Sequence, residues 1–568
     1  MKKNGEGGNS SRLVQQTQAR QTEPGNASRR RFVLGSAGYA ISLGAGLGLA
    51  GCGGSHDEAQ QRFGYGVASG DPLSDRVILW TRVNVSSPTD VQWEVATDTV
   101  FTKVVATGTA STSDARDYTV KVDASGLQPG TTYFYRFHNG GETSATGRTK
   151  TLPVGAPQRV RLAVFSCAAY ALGQFHAYAD AVNRGDFDVA LMLGDYIYET
   201  GLSNAEQAAA FLIGREVDPQ GELHTLSEYR QRYARYHTDA DLRALRATIP
   251  LIAVWDDHEL ANDIWRDGVG GQNLATDASF LARRAAAVQA WHEWLPTRDG
   301  PNPLKIDRSF DFGNLLTLHM LDTRVIGRDP PISRDAYLAG AAADPSRQLL
   351  GVEQSDRLTA RMQLSTAIWQ VLGQQVLFGR MQIPLSVFDN FSEAGITEFL
   401  QAQDTPEAAR TDRQRALLAQ PRIGQDLGTW DSYAAAREKV LATARTLDKN
   451  LVVLAGDSHN AWASDLKDAA GNRVGVEFAT PSVTSTGLEI AHRDIGRQFL
   501  ADSFVRMVPD LKFAETSHRG YLIVTLTPTA AVGDWVFVSS VFENSFSTSA
   551  GPTLRVLPGS ANRSLAAV

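Results

Sequence analysis

The feature that most constrains the fold of this chain is a set of four short apolar runs of strand length. Each run ends in side chains that can bind a metal. The clearest is residues 188–193 (Asp-Val-Ala-Leu-Met-Leu), which lead into Asp195 and Tyr198. The other three runs are residues 161–165 before Ser166 and Cys167, residues 251–255 before Asp256, Asp257, His258 and Glu259, and residues 451–456 before Asp457, Ser458, His459 and Asn460. Such runs are typical of strands buried on both faces. Because ligands bind at the carboxyl ends of strands in open α/β sheets, we expect the four ends to meet at one sheet edge and form a metal-centred active site.

Residues 1–61 predict export and lipid anchoring. Residues 28–34 (Ser-Arg-Arg-Arg-Phe-Val-Leu) form a twin-arginine export signature, followed by a Gly/Ala-rich apolar stretch that is typical of a signal-peptide core. The stretch ends in Leu-Ala-Gly before Cys52, which matches a bacterial lipoprotein cleavage box; the alternative is a free structural cysteine. We therefore predict a signal peptide over residues 1–51, a lipid anchor at Cys52, and a linker over residues 52–61. The expected partners are the twin-arginine export machinery and the membrane, and the expected location is the cell envelope, in the periplasm or on the outer surface.

Charge and cysteine content exclude two classes of protein. The net charge is −7 over 568 residues, and the first 51 residues are themselves basic, so the remainder is more acidic still. A nucleic-acid-binding surface, which needs a basic face, is therefore not expected. Only Cys52 and Cys167 are present, which excludes a disulfide scaffold. Cys167 is then either a buried, inert thiol or a metal ligand.

The chain length predicts more than one domain. Residues 62–153 alternate between polar and apolar side chains, and the segment from Gly126 through Phe137 resembles the tyrosine corner of fibronectin type III domains, so we predict a small β-sandwich there. From 158 to 545 strand-like runs alternate with helical ones, including helices over about 280–295 and 358–372, which predicts an α/β layered domain. Residues 546–568 have few apolar anchors and are predicted to be a tail.

Asp195 and Tyr198 form the most informative pair. A carboxylate at a strand end can bridge two metals, and a tyrosine phenolate near neutral pH requires a strongly Lewis-acidic ion, for which Fe³⁺ is the natural candidate. The thiolate of Cys167 is also a good ligand for iron or zinc. The alternative for Tyr198 alone is a core tyrosine.

The other strand ends supply a second metal and a proton donor. One carboxylate of residues 256–259 can bind a harder metal, and His258 can protonate a leaving oxygen. Asp457 and His459, two residues apart, point to one side in extended geometry. Two metals about 3.5–4 Å apart can stabilise both the attacking and the leaving oxygen of an in-line displacement at phosphorus. They can also generate the attacking hydroxide from water. No serine or cysteine nucleophile motif lies near these strand ends.

Several of these segments together are similar to the motifs of the alkaline phosphatase D (PhoD) family, within the metallophosphatases. They are residues 194–199 (Gly-Asp-Tyr-Ile-Tyr-Glu), 255–259 (Trp-Asp-Asp-His-Glu) and 456–460 (Gly-Asp-Ser-His-Asn), with residues 63–72 and 77–82 resembling the family's N-terminal domain. Residues 166–167, 372–375, 478–485 and 518–521 extend the match. The resemblance implies a four-layer α/β/β/α metallophosphatase-like fold preceded by the small fibronectin-like β-sandwich.

The resemblance also implies Fe³⁺ and Ca²⁺ as cofactors and assigns their ligands. The implied iron ligands are Cys167, Asp195, Tyr198 and His459, with Asp195 bridging to calcium, which Asp257 and Asp457 also bind. His258 and Asn460 would face the phosphate, and Asn262 and Arg324 are candidate substrate-binding residues.

We expect an exported, metal-dependent phosphomonoesterase that acquires phosphate from phosphoesters. A phosphodiesterase or phospholipase D-type enzyme with the same metals is the first alternative, because both activities would use the same ligands. A non-enzymatic surface lipoprotein that binds through the β-sandwich is the second, and it would make the strand-end ligands dispensable.

Overall fold

The computed structural model describes residues 61–568, so the predicted signal peptide and the lipidation site Cys52 lie outside the described residues. Within residues 61–568, none of the helices combines the length and the apolar character needed to cross a bilayer.

β-Strands dominate residues 61–150, and strands mix with α-helices after residue 150. The strands up to residue 192 are β1 (Val67–Gly70), β2 (Arg76–Arg82), β3 (Thr89–Ala96), β4 (Val104–Thr112), β5 (Thr119–Ser125), β6 (Thr132–Asn139), β7 (Glu142–Thr143), β8 (Gly147–Lys150), β9 (Val160–Phe165) and β10 (Val189–Met192). The next strands are β11 (Leu251–Ala253), β12 (Ile264–Trp265), β13 (Gly268–Val269), β14 (Gln272–Asn273), β15 (Arg308–Phe312), β16 (Leu316–Met320), β17 (Trp369–Gly373), β18 (Gln382–Pro384) and β19 (Arg422–Gly424). The last strands are β20 (Asn450–Ala455), β21 (Ala461–Lys467), β22 (Arg473–Ala479), β23 (Leu511–Glu515), β24 (Arg519–Leu526), β25 (Ala531–Val538), β26 (Thr548–Val556) and β27 (Ala566–Ala567). The α-helices are α1 (His176–Arg184), α2 (Asn204–Leu212), α3 (Leu226–Tyr236), α4 (Ala240–Thr248), α5 (Ala278–Trp294), α6 (Arg334–Leu338), α7 (Gly351–Leu364), α8 (Leu385–Asp389), α9 (Glu393–Asp404), α10 (Asp412–Leu418), α11 (Ala434–Thr446), α12 (Leu488–Ala491) and α13 (Arg497–Met507).

Two large sheets organise the part of the chain that the structure describes. The first has the strand order β27-β26-β25-β24-β9-β10-β11-β1-β2-β5, and the second has the order β15-β16-β17-β20-β22-β21-β23. Strands β9, β10 and β11 are parallel neighbours in the first sheet, whereas β20 lies between the parallel strands β17 and β22 in the second. The prediction of a single sheet edge was therefore wrong. Apolar runs identify buried strands but contain no information on which strands pair.

The two sheets share a core, as the residues of β20 show. Val452 and Leu454 belong to the same buried cluster as β9, β10 and β11. The alternating residues Leu451 and Val453 pack instead with side chains of α7 and α11. Strand β20 is thus buried on both faces, which explains its uninterrupted apolar sequence.

The predicted β-sandwich is present but is joined to the first sheet. Tyr133, Tyr135 and Phe137 are buried in its core, and the Gln128 backbone N–H donates to the Tyr133 hydroxyl at 2.8 Å, as the tyrosine corner predicts. Strands β1, β2 and β5 continue the ten-stranded sheet, because β1 pairs in parallel with β11 through Gly70 and Leu251. This pairing covers an edge of the sandwich whose backbone groups would otherwise lack partners.

Two further predictions were wrong for physical reasons. Residues 546–568 are not a tail, because β26 pairs with β25 in the first sheet. Only Leu554 and Val556 of β26 are fully buried, so its sequence has a weak apolar pattern. The helix predicted over 358–372 ends at Leu364, and β17 (Trp369–Gly373) follows it. A short apolar run does not distinguish a buried strand from a helix.

Candidate metal centre

The four strand ends identified in the sequence lie together where the two sheets meet. Gly194 has a φ of 99°, a conformation that favours glycine. A Cβ at this position would lie 2.4 Å from the Cβ of Asp256, so only glycine allows the loops after β10 and β11 to lie so close together. A Cβ on Gly456 would likewise lie 2.3 Å from the Ser166 hydroxyl oxygen. Gly194 therefore lets two loops of the first sheet approach each other, and Gly456 brings the loop after β20 of the second sheet against the end of β9.

Four of the predicted ligands adopt a backbone conformation that is rare outside glycine. The φ angles are 60° at Cys167, 55° at Asp195, 57° at Asp457 and 60° at His459. Each left-handed residue costs on the order of 1 kcal/mol or more, and such strain concentrates at functional sites. The sharp turns aim these side chains across the strand ends, toward one another.

The first group of possible ligands joins three of the four strand ends. The ligand atoms of Cys167, Asp195 and His459 lie within 4.8 Å of one another. The Tyr198 hydroxyl donates to Asp195 Oδ2 at 2.8 Å and lies 3.2 Å from His459 Nε2. His459 Nδ1 lies 2.8 Å from the Thr486 carbonyl oxygen, so Nδ1 carries the proton and Nε2 presents its lone pair to the group. These four residues are the ones to which the resemblance assigned iron.

Two more groups overlap the first and extend it. Asp195, Asp257 and His258 form one, and Asp256, Asp257 and Asp457 form the other, each with ligand atoms within 4.8 Å of one another. Asp195 and Asp257 each belong to two groups. Shared carboxylates of this kind can bridge neighbouring cations.

The oxygen atoms of this site fit a bound cation. Asp195 Oδ1 and Asp256 Oδ2 are buried and have no hydrogen-bond partner within residues 61–568. A buried carboxylate oxygen without a partner costs free energy unless a positive charge compensates it. The donor set includes a thiol, a phenol, an imidazole and several carboxylates, which together suit a soft or borderline metal beside a harder one.

Burial shifts the pKa values of the candidate ligands toward their uncharged forms. Burial, reinforced by the nearby Asp195 carboxylate, raises the pKa of Cys167 and of Tyr198 well above their ordinary values. Burial raises the pKa of Asp195 to about 7 and lowers the pKa of His459 to about 4. His459 is therefore neutral at pH 7, the form that binds metals, whereas the thiol and the phenol must lose protons to bind them.

His258 lies beside the possible ligands and is held in place by a carboxylate. Its Nδ1 lies 2.7 Å from Glu199 Oε2, and its ring stacks on Tyr198 with 4.2 Å between ring centroids. Although burial alone would lower the pKa of His258, the carboxylates of Asp195, Glu199 and Asp257 raise it well above its ordinary value. The imidazole is therefore protonated, and Glu199 fixes its orientation.

The two predicted asparagines make structural contacts. The Asn460 amide donates to the Ser458 carbonyl oxygen, and its Oδ1 accepts from the Leu488 backbone N–H at 3.1 Å. These contacts fix the amide in the loop after β20, and its role at the phosphate stays a prediction. Asn262 donates its backbone N–H to Glu199 Oε1 at 2.6 Å, and its side chain contacts Asp263.

Arg324 lies within the acidic group and not at an open surface. Its guanidinium is fully buried and lies 2.7 Å from Asp457 Oδ1 and 3.3 Å from Asp257 Oδ1, with a further contact to Asp256. It supplies a fixed positive charge beside three carboxylates.

Three acidic residues of this site, Asp256, Glu199 and Glu259, were named in the sequence analysis without an individual role. Asp256 and Glu199 lie within motifs that were recognised, but the position of each side chain depends on contacts with distant segments. The Glu259 carboxylate accepts from the backbone N–H groups of Asp195, Tyr196 and Asp256, and thereby ties the loops after β10 and β11 together. Burial raises the pKa of Glu259 to about 8.

Comparison with known proteins gives a consistent result over nearly the whole chain. The model of the PhoD-like phosphatase family matches residues 162–535, and the model of its N-terminal domain matches residues 49–153. The chain is 33% identical over 545 residues to alkaline phosphatase D of Bacillus subtilis (strain 168), covering 91% of this chain and 85% of that protein. A solved structure of PhoD is similar, with a TM-score of 0.73 and 31% identity, and covers 90% of this chain and 92% of that one, which confirms the mixed α/β fold. The chain therefore belongs to the PhoD-like phosphatase family and is a phosphoric ester hydrolase.

Proposed function

We propose that this protein is an exported, metal-dependent alkaline phosphatase that hydrolyses phosphate monoesters, and also diesters, to supply phosphate. The observation that carries the proposal is the set of three overlapping ligand groups, in which Asp195 and Asp257 are shared. Ions held there would polarise the phosphoryl group and lower the pKa of a bound water.

Within this proposal, Cys167, Asp195, Tyr198 and His459 hold Fe³⁺. Asp195, Asp257 and Asp457 hold Ca²⁺, since hard oxygen ligands suit that ion. His258, protonated and fixed by Glu199, donates a proton to the leaving oxygen. Arg324 balances the charge of the carboxylates around it.

Metal analysis of the purified protein, together with its visible absorption spectrum, tests the metal assignment. We expect about one iron per chain, calcium beside it, and a purple-to-violet band from tyrosinate-to-iron charge transfer. A colourless protein that contains only zinc or manganese would contradict the ferric assignment and leave the phosphatase activity intact. A folded protein that hydrolyses phosphoesters without any metal would overturn the metal-dependent mechanism.

Tyr198→Phe is expected to abolish that visible band while most of the iron remains bound. The hydroxyl is the only group removed, and Cys167, Asp195 and His459 still lie within 4.8 Å of one another. Tyr196→Phe is the matched control, because the Tyr196 hydroxyl contacts His237 at 2.8 Å and not the ligands. An unchanged band in Tyr198→Phe would show that another group supplies the charge transfer.

Removal of the metals should reveal a pH-dependent cost of burying Asp195. Burial raises its pKa from 3.8 to about 7, so the folded metal-free protein binds a proton that the unfolded chain releases. The resulting stability is present below the unfolded pKa and is lost as the pH rises through the folded pKa. We expect the Tm of the metal-free protein to fall relative to that of metal-free Asp195→Asn between about pH 4 and 8. A Tm difference independent of pH would contradict the buried, protonated carboxyl.

Relative rates on a chromogenic monoester and a bis-ester distinguish the two phosphoesterase activities. We expect the monoester to have the higher kcat/KM. A bis-ester that is hydrolysed faster would favour the phosphodiesterase or phospholipase D-type alternative, with the same ligands.

Export and anchoring are supported by the sequence of residues 28–52. We propose that the twin-arginine machinery exports the chain and that Cys52 receives the lipid. Mass spectrometry of the N-terminal peptide, compared with that of Cys52→Ser, tests this directly. An unmodified Cys52 in the exported protein would contradict the anchor.

A further inference from the structure

Helix α2 (Asn204–Leu212) has its apolar side facing outward. Ala205, Ala208, Ala209 and Leu212 follow the i, i+3, i+4, i+7 spacing of one helical face, and all four are exposed. The only charged residue of the helix, Glu206, is buried and caps the helix start by accepting from the Ser203 backbone N–H at 2.8 Å. This arrangement is the reverse of an ordinary surface helix, in which the apolar face is buried and the charges face the solvent.

Large apolar side chains extend this face. Phe211 is 69% exposed and Leu212 is 70% exposed, and Phe542 on a neighbouring loop is 59% exposed. Gln174 holds the two segments together, because its side chain donates to the Ile213 carbonyl oxygen at 3.0 Å and its backbone N–H donates to the Val541 carbonyl oxygen at 2.6 Å. We call the exposed side chains of Ala205, Ala208, Ala209, Phe211, Leu212 and Phe542 the apolar patch.

Short stretches of chain connect the apolar patch to the metal centre. Helix α2 begins six residues after Tyr198, and Gln174 follows Cys167 by seven residues, so both segments continue from the strand ends that supply ligands. Interface-binding helices place their apolar face in the lipid headgroup region, next to the surface where an attached enzyme acts.

The start of the folded chain is connected to the same region through α4. Arg215 donates its backbone N–H to the Ala210 carbonyl oxygen of α2 and pairs with Asp239, the residue that caps α4, at 2.5 Å. Arg243, one turn into α4, donates to the Gly64 carbonyl oxygen at 3.0 Å. The chain therefore enters the fold near the helix start on which α2 is fixed.

The distance from the lipidation site limits how far the apolar patch can be from a membrane. Eight residues lie between Cys52 and residue 61, and the nine Cα–Cα steps from one to the other span at most about 30 Å when fully extended. A lipid anchor at Cys52 therefore holds the folded part within about 30 Å of the bilayer, a distance similar to the diameter of a small domain.

We propose that the apolar patch rests on the phospholipid bilayer, with α2 as an interfacial helix that turns the mouth of the metal centre toward the membrane surface. The choice of a bilayer as the occupant rests on the proposed anchor at Cys52. The net charge of −7 disfavours strongly anionic lipid, so the contact is apolar and best tested on zwitterionic vesicles. In this position the enzyme would act on phosphoesters displayed at, or released from, the membrane.

Flotation with phosphatidylcholine vesicles tests the proposal. The protein would be the chain of residues 52–568 with Cys52→Ser, which prevents acylation, so that any binding comes from the folded surface. We expect this protein to float with the vesicles. The triple variant Phe211→Ser/Leu212→Ser/Phe542→Ser should have an affinity for the vesicles that is lower by about tenfold or more. The matched control is Val352→Ser/Leu364→Ser, which removes side chains that are 64% and 74% exposed on α7 and should bind like the parent.

Each result then has one meaning. All variants should keep the parent's kcat/KM on a soluble monoester, which shows that the fold and the site are intact. Absence of vesicle binding by the parent, or equal binding by the triple variant, would overturn the proposal. So would a concentration-dependent dimer that the triple variant abolishes, because a second copy would then cover the apolar patch. An unacylated Cys52 in the exported protein would contradict the proposed anchor, whereas vesicle binding by residues 52–568 would still decide the role of the apolar patch.

Discussion

Asp195→Asn is expected to lower kcat/KM for a phosphate monoester by about a thousandfold or more. Asp195 belongs to two of the three ligand groups, and its Oδ2 also accepts from the Tyr198 hydroxyl. Replacing the carboxylate removes a ligand from both proposed cations, and a loss of about 4 kcal/mol of transition-state stabilisation corresponds to a thousandfold loss of rate. Metal content per chain should fall together with the activity.

Asparagine is the appropriate replacement at this position. Asp195 has a φ of 55°, and asparagine tolerates the left-handed conformation better than alanine does. Asp186→Asn removes the same charge from an exposed position and should leave both activity and metal content unchanged. If Asp195→Asn kept near-normal activity while losing metal, the ligand groups would not be the catalytic centre.

His258→Asn is expected to lower kcat by about 10²–10⁴-fold on esters with an alkyl leaving group, while metal content stays near that of the parent. The protonated imidazole is held by Glu199 at 2.7 Å, and its proposed task is to protonate the leaving oxygen. An ester with an acidic phenol as leaving group needs little protonation, so the loss on p-nitrophenyl phosphate should be much smaller.

The dependence on the leaving group separates proton donation from a structural role. Glu199→Gln keeps the shape of the side chain but removes the charge that orients His258, so it should show the same leaving-group pattern with a smaller loss. His224→Asn, at an exposed histidine, is the neutral control. Equal losses on both esters in His258→Asn would mean that His258 positions other groups and does not donate the proton.

The positions of the candidate ligands could be predicted because local sequence determines them. A buried strand needs an apolar run, and the polar residues that follow it lie at its end whatever the rest of the chain does. Residues 189–193 and 451–456 therefore located Asp195, Asp457 and His459 correctly at strand ends. The helix at Ala278–Trp294 and the tyrosine corner at Tyr133 were predictable for the same reason, since each depends on contacts between near neighbours in sequence.

Other features could not be predicted because they depend on contacts between distant segments. Strand β20 lies in a different sheet from β9, β10 and β11, and β26 lies second from the edge of the first sheet, where few of its side chains are buried. The Asn460 amide contacts Ser458 and Leu488, partners that no sequence pattern indicates, and its predicted role at the phosphate stays a prediction. Hydrogen bonds of this kind leave no periodic pattern in the sequence.

The sequence by itself determined the fold class and which strand ends carry metal-binding side chains, because burial and side-chain chemistry act within a few residues. Only the tertiary structure decided how those ends meet. Packing the two sheets against each other brought Asp457 and His459 to Asp195, placed Glu199 against His258, and left the apolar face of α2 exposed. Those contacts join residues that are up to several hundred positions apart, and their geometry follows from packing that no local pattern encodes.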